Sequence, residues 1–138
     1  MRVNWHFWEI ETAGWALDES PECVTLSPCD TDAALQISCH RKLSGPVTDE
    51  ELLEFATDAL AEHGVEPSFV TCGDFRGFHG SFTDGEVQYL RHWFVAAGCV
   101  SLFITYISAS EDSAAHSDVV DWMLSGLLAF NADSTPQL

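Results

Sequence analysis

The side chains of this chain that could do chemistry are six histidines and five cysteines, set among 22 acidic residues. An imidazole near its ordinary pKa can act as acid, base or metal ligand close to neutrality, and a thiolate can act as nucleophile or ligand. His79 and His92 lie in two segments that read as hairpin partners, six and seven residues out from Asp84-Gly85. A bulge in the first segment would bring the two rings together. With a cysteine they would make a small ligand-binding or hydrolytic site, and with further Cys or carboxylate ligands a zinc site.

The spacing argues against both. His40, His63 and His116 fall at element ends or in loops, and Cys23, Cys29, Cys39, Cys72 and Cys99 contain no CxxC pair. Cys39 and His40 are neighbours in a strand-like run, where adjacent side chains point to opposite faces, so they do not read as a thiol–imidazole dyad. Cys23 and Cys29 are close enough for a loop disulfide, but an odd set of cysteines without ligand spacing reads first as reduced thiols. No GxSxG, P-loop, dinucleotide glycine pattern, HExxH or EF-hand loop occurs. Residues 73–77, Gly-Asp-Phe-Arg-Gly, lack the lysine and following helix of a phosphate cradle. The carboxylate pairs Asp49/Glu50 and Glu111/Asp112 read as solvated surface charge. No catalytic residue, cofactor or bound transition metal is therefore expected.

Charge narrows the partners. Five basic residues against 22 acidic ones leave a formal net charge of −17 over 138 residues. Nucleic acid and anionic membrane need Lys and Arg clusters that this chain lacks, whereas a basic protein partner, or simply a soluble surface, suits it. Arg91 stands out because basic residues are scarce. It falls mid-strand between Tyr89 and Trp93 on one face, where a guanidinium can stack on aromatic rings or pair with an acidic neighbour.

The elements that must position these residues follow from periodicity. Residues 3–10 read as an aromatic-rich strand, 14–17 and 23–26 as two short strands, and 33–39 as a half-buried strand that alternates Leu35, Ile37 and Cys39 with Gln36 and Ser38. Thr48-Asp49-Glu50-Glu51 is a capping box that opens a helix over 48–63, with Leu52, Leu53, Ala56, Ala59 and Leu60 as its apolar stripe and Gly64 at its C-terminal cap. Strands are expected at 68–72, 77–82, 86–96 and 99–107, with Asp84-Gly85 and Ala97-Gly98 as hairpin turns. Residues 108–117 read as an acidic loop, 118–130 as a second helix burying Val119, Val120, Met123, Leu124, Leu127 and Leu128, and 131–138 as a frayed tail.

The sum is one α+β domain over 1–138, a mainly antiparallel sheet with two long helices. Strands 86–96 and 99–107 are apolar on both faces, so either both faces are covered or one is left open as an aromatic surface. On the second reading a partner would sit on the face carrying Tyr89, Arg91, Trp93 and Tyr106. No run reaches the roughly 20 apolar residues of a spanning helix. The first 11 residues lack a continuous apolar region and a small-residue cleavage site, so a cytoplasmic protein is expected.

Residues 33–130 resemble a bacterial family with a PsbP-like α/β sandwich, which includes DcrB-type proteins and the Eag-type chaperones of type VI secretion. The resemblance is carried by "ALQIS", "TDEELLEFATDAL", "GFHGSFTDGEVQYLRHWFVAAG", "CVSLFITYIS" and "DVVDWMLSGLLAF" in that order. The five cysteines and the Trp-rich N-terminus depart from the pattern. The resemblance implies chaperones that hold hydrophobic effector helices on a concave sheet face, and related small immunity proteins. Together these readings point to a non-enzymatic, acidic protein-binding module, a secretion-system chaperone or adaptor or an immunity protein. The alternatives are a small ligand-binding or hydrolytic enzyme using His79, His92 and a cysteine, and a self-associating domain such as a homodimer.

Overall fold

The computed structural model describes residues 2–5, 8–21, 23–28, 33–84, 88–109 and 113–129. Within them lie strands β1 (Arg2–Trp5), β2 (Trp8–Glu11), β3 (Ala16–Glu19), β4 (Cys23–Ser27) and β5 (Ala34–Arg41), helix α1 (Asp49–Ala61), strands β6 (Ser68–Cys72), β7 (Phe75–Asp84), β8 (Gln88–Ala97) and β9 (Val100–Ala109), helix α2 (Ser113–Ser125) and strand β10 (Leu128–Ala129). Seven strands form one antiparallel sheet in the order β3-β4-β5-β9-β8-β7-β6. A second, three-stranded sheet has the order β1-β2-β10. The architecture is α+β and mostly antiparallel, with a helix on each face of the large sheet.

Helix α1 begins where its sequence says. Thr48 Oγ1 accepts from the Glu51 N–H at 3.2 Å, and Glu51 Oε1 accepts from the Thr48 N–H at 3.1 Å. The helix ends in a Schellman pattern. The Gly64 N–H donates to Ala61 C=O at 3.0 Å and the Val65 N–H to Leu60 C=O at 3.1 Å, with Gly64 at φ +71°. Leu52, Ala56 and Leu60 are buried, while Leu53 is exposed. The i, i+4, i+8 spacing gives a narrower stripe than the sequence suggests. Ala56 and Leu60 pack with Phe82, Phe78, Leu90, Phe94 and Val65.

The opposite face carries the larger core. Trp93 and Val95 of β8, Leu102, Ile104 and Tyr106 of β9, Leu35 and Ile37 of β5, and Val24 and Leu26 of β4 meet Val120, Met123, Leu124 and Leu127. Trp8 and Ile10 of the small sheet close this layer. The two-faced apolar pattern of β8 and β9 thus has a simple cause: one helix covers each face, and the small sheet adds to one of them.

Five features differ from the sequence reading. Residues 3–10 are two strands, paired through Trp5↔Trp8. Helix α2 starts five residues earlier than expected and stops at Ser125, because its first turn has no apolar periodicity to signal it and Gly126 follows it. Residues 108 and 109 belong to β9, so the expected acidic loop is shorter. Leu128 is exposed and its strand pairs with Trp8 and Glu9, a long-range contact that no local pattern encodes. At the Asp84-Gly85 hairpin, Asp84 pairs with Gln88, so three residues and not two separate the strands. Residues 85–87 and the tail from 131 lie outside the described residues.

Candidate functional site

The β7–β8 register decides the histidine question. Gly80 pairs with His92 and His79 with Trp93, and the register runs without a break from Arg76↔Ala96 to Asp84↔Gln88. No bulge intervenes, so His79 and His92 are one step apart and point to opposite faces of the sheet. The expected imidazole pair does not form.

His92 lies on the α1 face within an aromatic group. His63, just past the end of α1, stacks on Phe82 at 3.9 Å between centroids and 11° between planes. His92 meets Phe82 edge-on at 5.0 Å and Phe103 at 5.5 Å, and Phe103 lies 5.1 Å from Phe94. Burial lowers the His92 pKa, and the neighbouring His63 lowers it further. This is an imidazole held neutral among rings, with no carboxylate hydrogen-bonded to it among the described residues.

His79 lies on the α2 face, stacked on Trp93 at 6.3 Å. The Arg91 guanidinium sits 4.5 Å above the same indole, donates to Asp121 Oδ1 at 2.7 Å and to Ser117 Oγ at 3.2 Å. Both sequence readings of Arg91 therefore hold at once: it stacks on an aromatic and it pairs with an acid. Burial, then the Arg91 charge, lowers the His79 pKa, and its Nδ1 is buried without a hydrogen-bond partner among the described residues.

Arg91, Trp93 and Tyr106 are 8 %, 1 % and 0 % exposed, and Tyr89 is half-buried. The face expected to receive a partner is core, because α2 and the small sheet lie on it. Sequence alternation assigns residues to two faces but does not say which face is covered.

Two of the cysteines are held as thiols by burial. Cys39 and Cys72 are pushed up to about 11 and about 12 by burial, so both remain thiols near neutrality. Cys39 and His40 are successive residues of β5 and point apart. No disulfide joins Cys23, Cys39, Cys72 and Cys99 to one another, and Cys29 lies outside the described residues. Among the described residues no three His, Cys, Asp or Glu side chains gather as metal ligands. No described helix is long and apolar enough to cross a membrane.

Phe55 of α1, Phe69 of β6 and Trp122 of α2 are 66 %, 58 % and 57 % exposed, and Phe103 is also exposed at the margin of the ring group. The sequence reading left Phe55 and Trp122 out of the apolar stripes of their helices without assigning them to a surface. Each stands off the stripe that the sheet covers.

No family model matches the chain, and no curated protein does either. Solved structures show a likeness of fold. A protein from Bacteroides thetaiotaomicron VPI-5482 superposes with a TM-score of 0.61 at 12 % identity, over 88 % of this chain and 44 % of that one. LpqN of Mycobacterium tuberculosis, described as involved in cell envelope biogenesis, superposes with a TM-score of 0.56 at 14 % identity, over 84 % of this chain and 78 % of that one. The chain thus spans under half the length of the Bacteroides protein.

Proposed function

We propose that this chain is a non-enzymatic, acidic protein-binding module of the chaperone, adaptor or immunity kind, working in the cytoplasm, on the PsbP-like sandwich plan that residues 33–130 resemble. The observation that carries the reading is the pairing of exposed large aromatics, Phe55, Phe69, Phe103 and Trp122, with a net charge of −17. An exposed aromatic ring offers a partner a large area to bury, and such rings are enriched at binding hot spots. Surrounding carboxylates speed encounter with a basic partner and make that rate fall with salt. The opposed faces of His79 and His92 and the raised Cys39 and Cys72 thiols weigh against the enzyme alternative.

The test is co-expression with the products of the genes flanking this one, followed by size-exclusion chromatography with mass detection. A stoichiometric complex that weakens as salt rises supports the reading. A protein that stays alone with every flanking product, and hydrolyses ester or phosphate substrates at a rate lost in His92→Ala, overturns it.

A further inference from the structure

The end of α1 brings two imidazoles together over the large sheet. Leu60 and Val65 seat over Gly80, where an added Cβ would lie 2.8 Å from each side chain, and Gly80 pairs with His92. His63 falls between these two anchors, in the turn closed by the Gly64 and Val65 N–H groups. Its ring stacks over Phe82, which is buried beneath it, with 3.9 Å between centroids. His92 meets His63 edge-on at 6.5 Å. The two imidazoles thus share Phe82, one stacked on it and the other 5.0 Å away at a right angle.

A counter-charge is supplied to one ring and not to the other. Glu62 Oε1 lies 3.6 Å from His63 Nε2, and the C-terminal carbonyls of α1 favour a cation at the same place. A ring cation also rests well on a phenyl face. A proton on His63 is therefore met where it sits. A proton on His92 is not. Around His92, β7 places Gly80 and Phe82, β9 places Thr105 and Phe103, and the end of α1 places His63. Of these groups only His63 can carry charge, and it carries the same sign. Asp58 on α1 and Glu66 in the following loop are exposed. Two imidazolium rings at this spacing, one half-buried among phenyl rings, repel with no counter-charge between them. His63 is the ring that can leave, because its side chain is exposed and Leu60 and Val65 hold the helix end without it.

We propose that His63 is an acid-released cover over an aromatic floor formed by Phe82, Phe94 and Phe103. The closed form holds one proton, on His63 beside Glu62. A second proton, on His92, drives the His63 ring off Phe82 and adds the floor to the surface that Phe103 already exposes. Both histidines are required, and α1 stays docked. The device goes beyond the protein-binding reading and is a property of the free chain.

The experiment titrates the full chain, without a partner, through the acid side of neutrality. NMR follows the histidine and Phe82 ring signals, and the fluorescence of Nile red, an uncharged dye, reports uncovered apolar surface. The Phe82 signals and the dye are expected to follow the titration of His92 and not that of His63. The ratio of open to closed form is expected to rise about tenfold per pH unit, the slope of one proton. The backbone signals of β8 and β9 are expected to stay dispersed, which separates release of the ring from acid unfolding. His63→Phe and His92→Phe each keep a ring in place and are each expected to abolish the response. His79→Gln, on the other face of the sheet, is expected to keep it. A His63→Phe chain that still opens in acid shows that His92 acts alone and overturns the proposal. Phe82 signals that stay fixed while both histidines titrate, a response lost in His79→Gln, or opening that comes only with unfolding of β8 and β9 also overturn it. The titration of the parent chain decides by itself where a variant fails to fold.

Discussion

Arg91 lies between Trp93 and Asp121, its guanidinium 4.5 Å above the indole and 2.7 Å from the carboxylate. The pair joins β8 to α2 across the margin of the main core. Its two members differ in exposure, 10 % for the arginine side chain and 57 % for the aspartate. The arginine is nearly dehydrated, and its charge is met by an acid that water still reaches.

That asymmetry predicts unequal mutants. Asp121→Ala should lower stability by about 1–2 kcal/mol, because the exposed carboxylate is screened but its loss leaves Arg91 with fewer partners. Arg91→Ala should cost more, since Trp93 loses its stacked neighbour and the Ser117 hydrogen bond goes too. Urea midpoints of the two single variants and the double variant would show it. Additive effects would contradict the coupling.

Two glycines of β7 predict different penalties. A Cβ at Gly80 would lie 2.8 Å from both Leu60 Cδ1 and Val65 Cγ1, the side chains that dock the end of α1 on the sheet. These are movable methyls, so Gly80→Ala should cost about 1–3 kcal/mol, part of it returned by Val65→Ala in the same chain. At Gly77 the added atom would run into the Phe94 carbonyl, a backbone group that cannot yield. Gly77→Ala should prevent the native β7–β8 pairing, read as loss of the cooperative unfolding transition.

The pH dependence follows from His92 and His79, both lowered from 6.5 by burial first. A lowered folded-state pKa means that the unfolded chain binds the proton more readily. Stability is then complete above the unfolded value and declines as pH falls through and below about 6.5. Glu51, held below its ordinary value first by its hydrogen bond from Lys42, adds a separate loss at pH below about 4.5. Unfolding free energy measured from pH 7.5 to 3 should fall in two stages. His92→Gln should flatten the upper stage and leave the lower one.

The capping box gives a local test. Thr48→Ala should lower stability by about 1 kcal/mol, because the Glu51 N–H loses its acceptor. Thr48→Asp should restore most of it. A Thr48→Ala variant as stable as the parent would show that the box contributes nothing to the docked helix.

What the sequence determined by itself was local. The start of α1 at Thr48, its end at Gly64 and the alternation in β5, β8 and β9 depend on residues within four positions of one another, and cap chemistry and side-chain period suffice to read them. The tertiary structure decided which face of the sheet is core. Tyr89, Arg91 and Trp93 share a face by alternation alone and the register Arg91↔Tyr106 adds Tyr106 to it, but only the placement of α2 and the small sheet puts Arg91, Trp93 and Tyr106 in the interior. The same holds for His79 and His92, whose separation depends on one residue of register across a three-residue turn. It holds also for β10, which exists because residues 128–129 meet β2 about 120 residues earlier in the chain. Contacts made over such separations are selected by the packing of the whole chain, and no short window of sequence carries them.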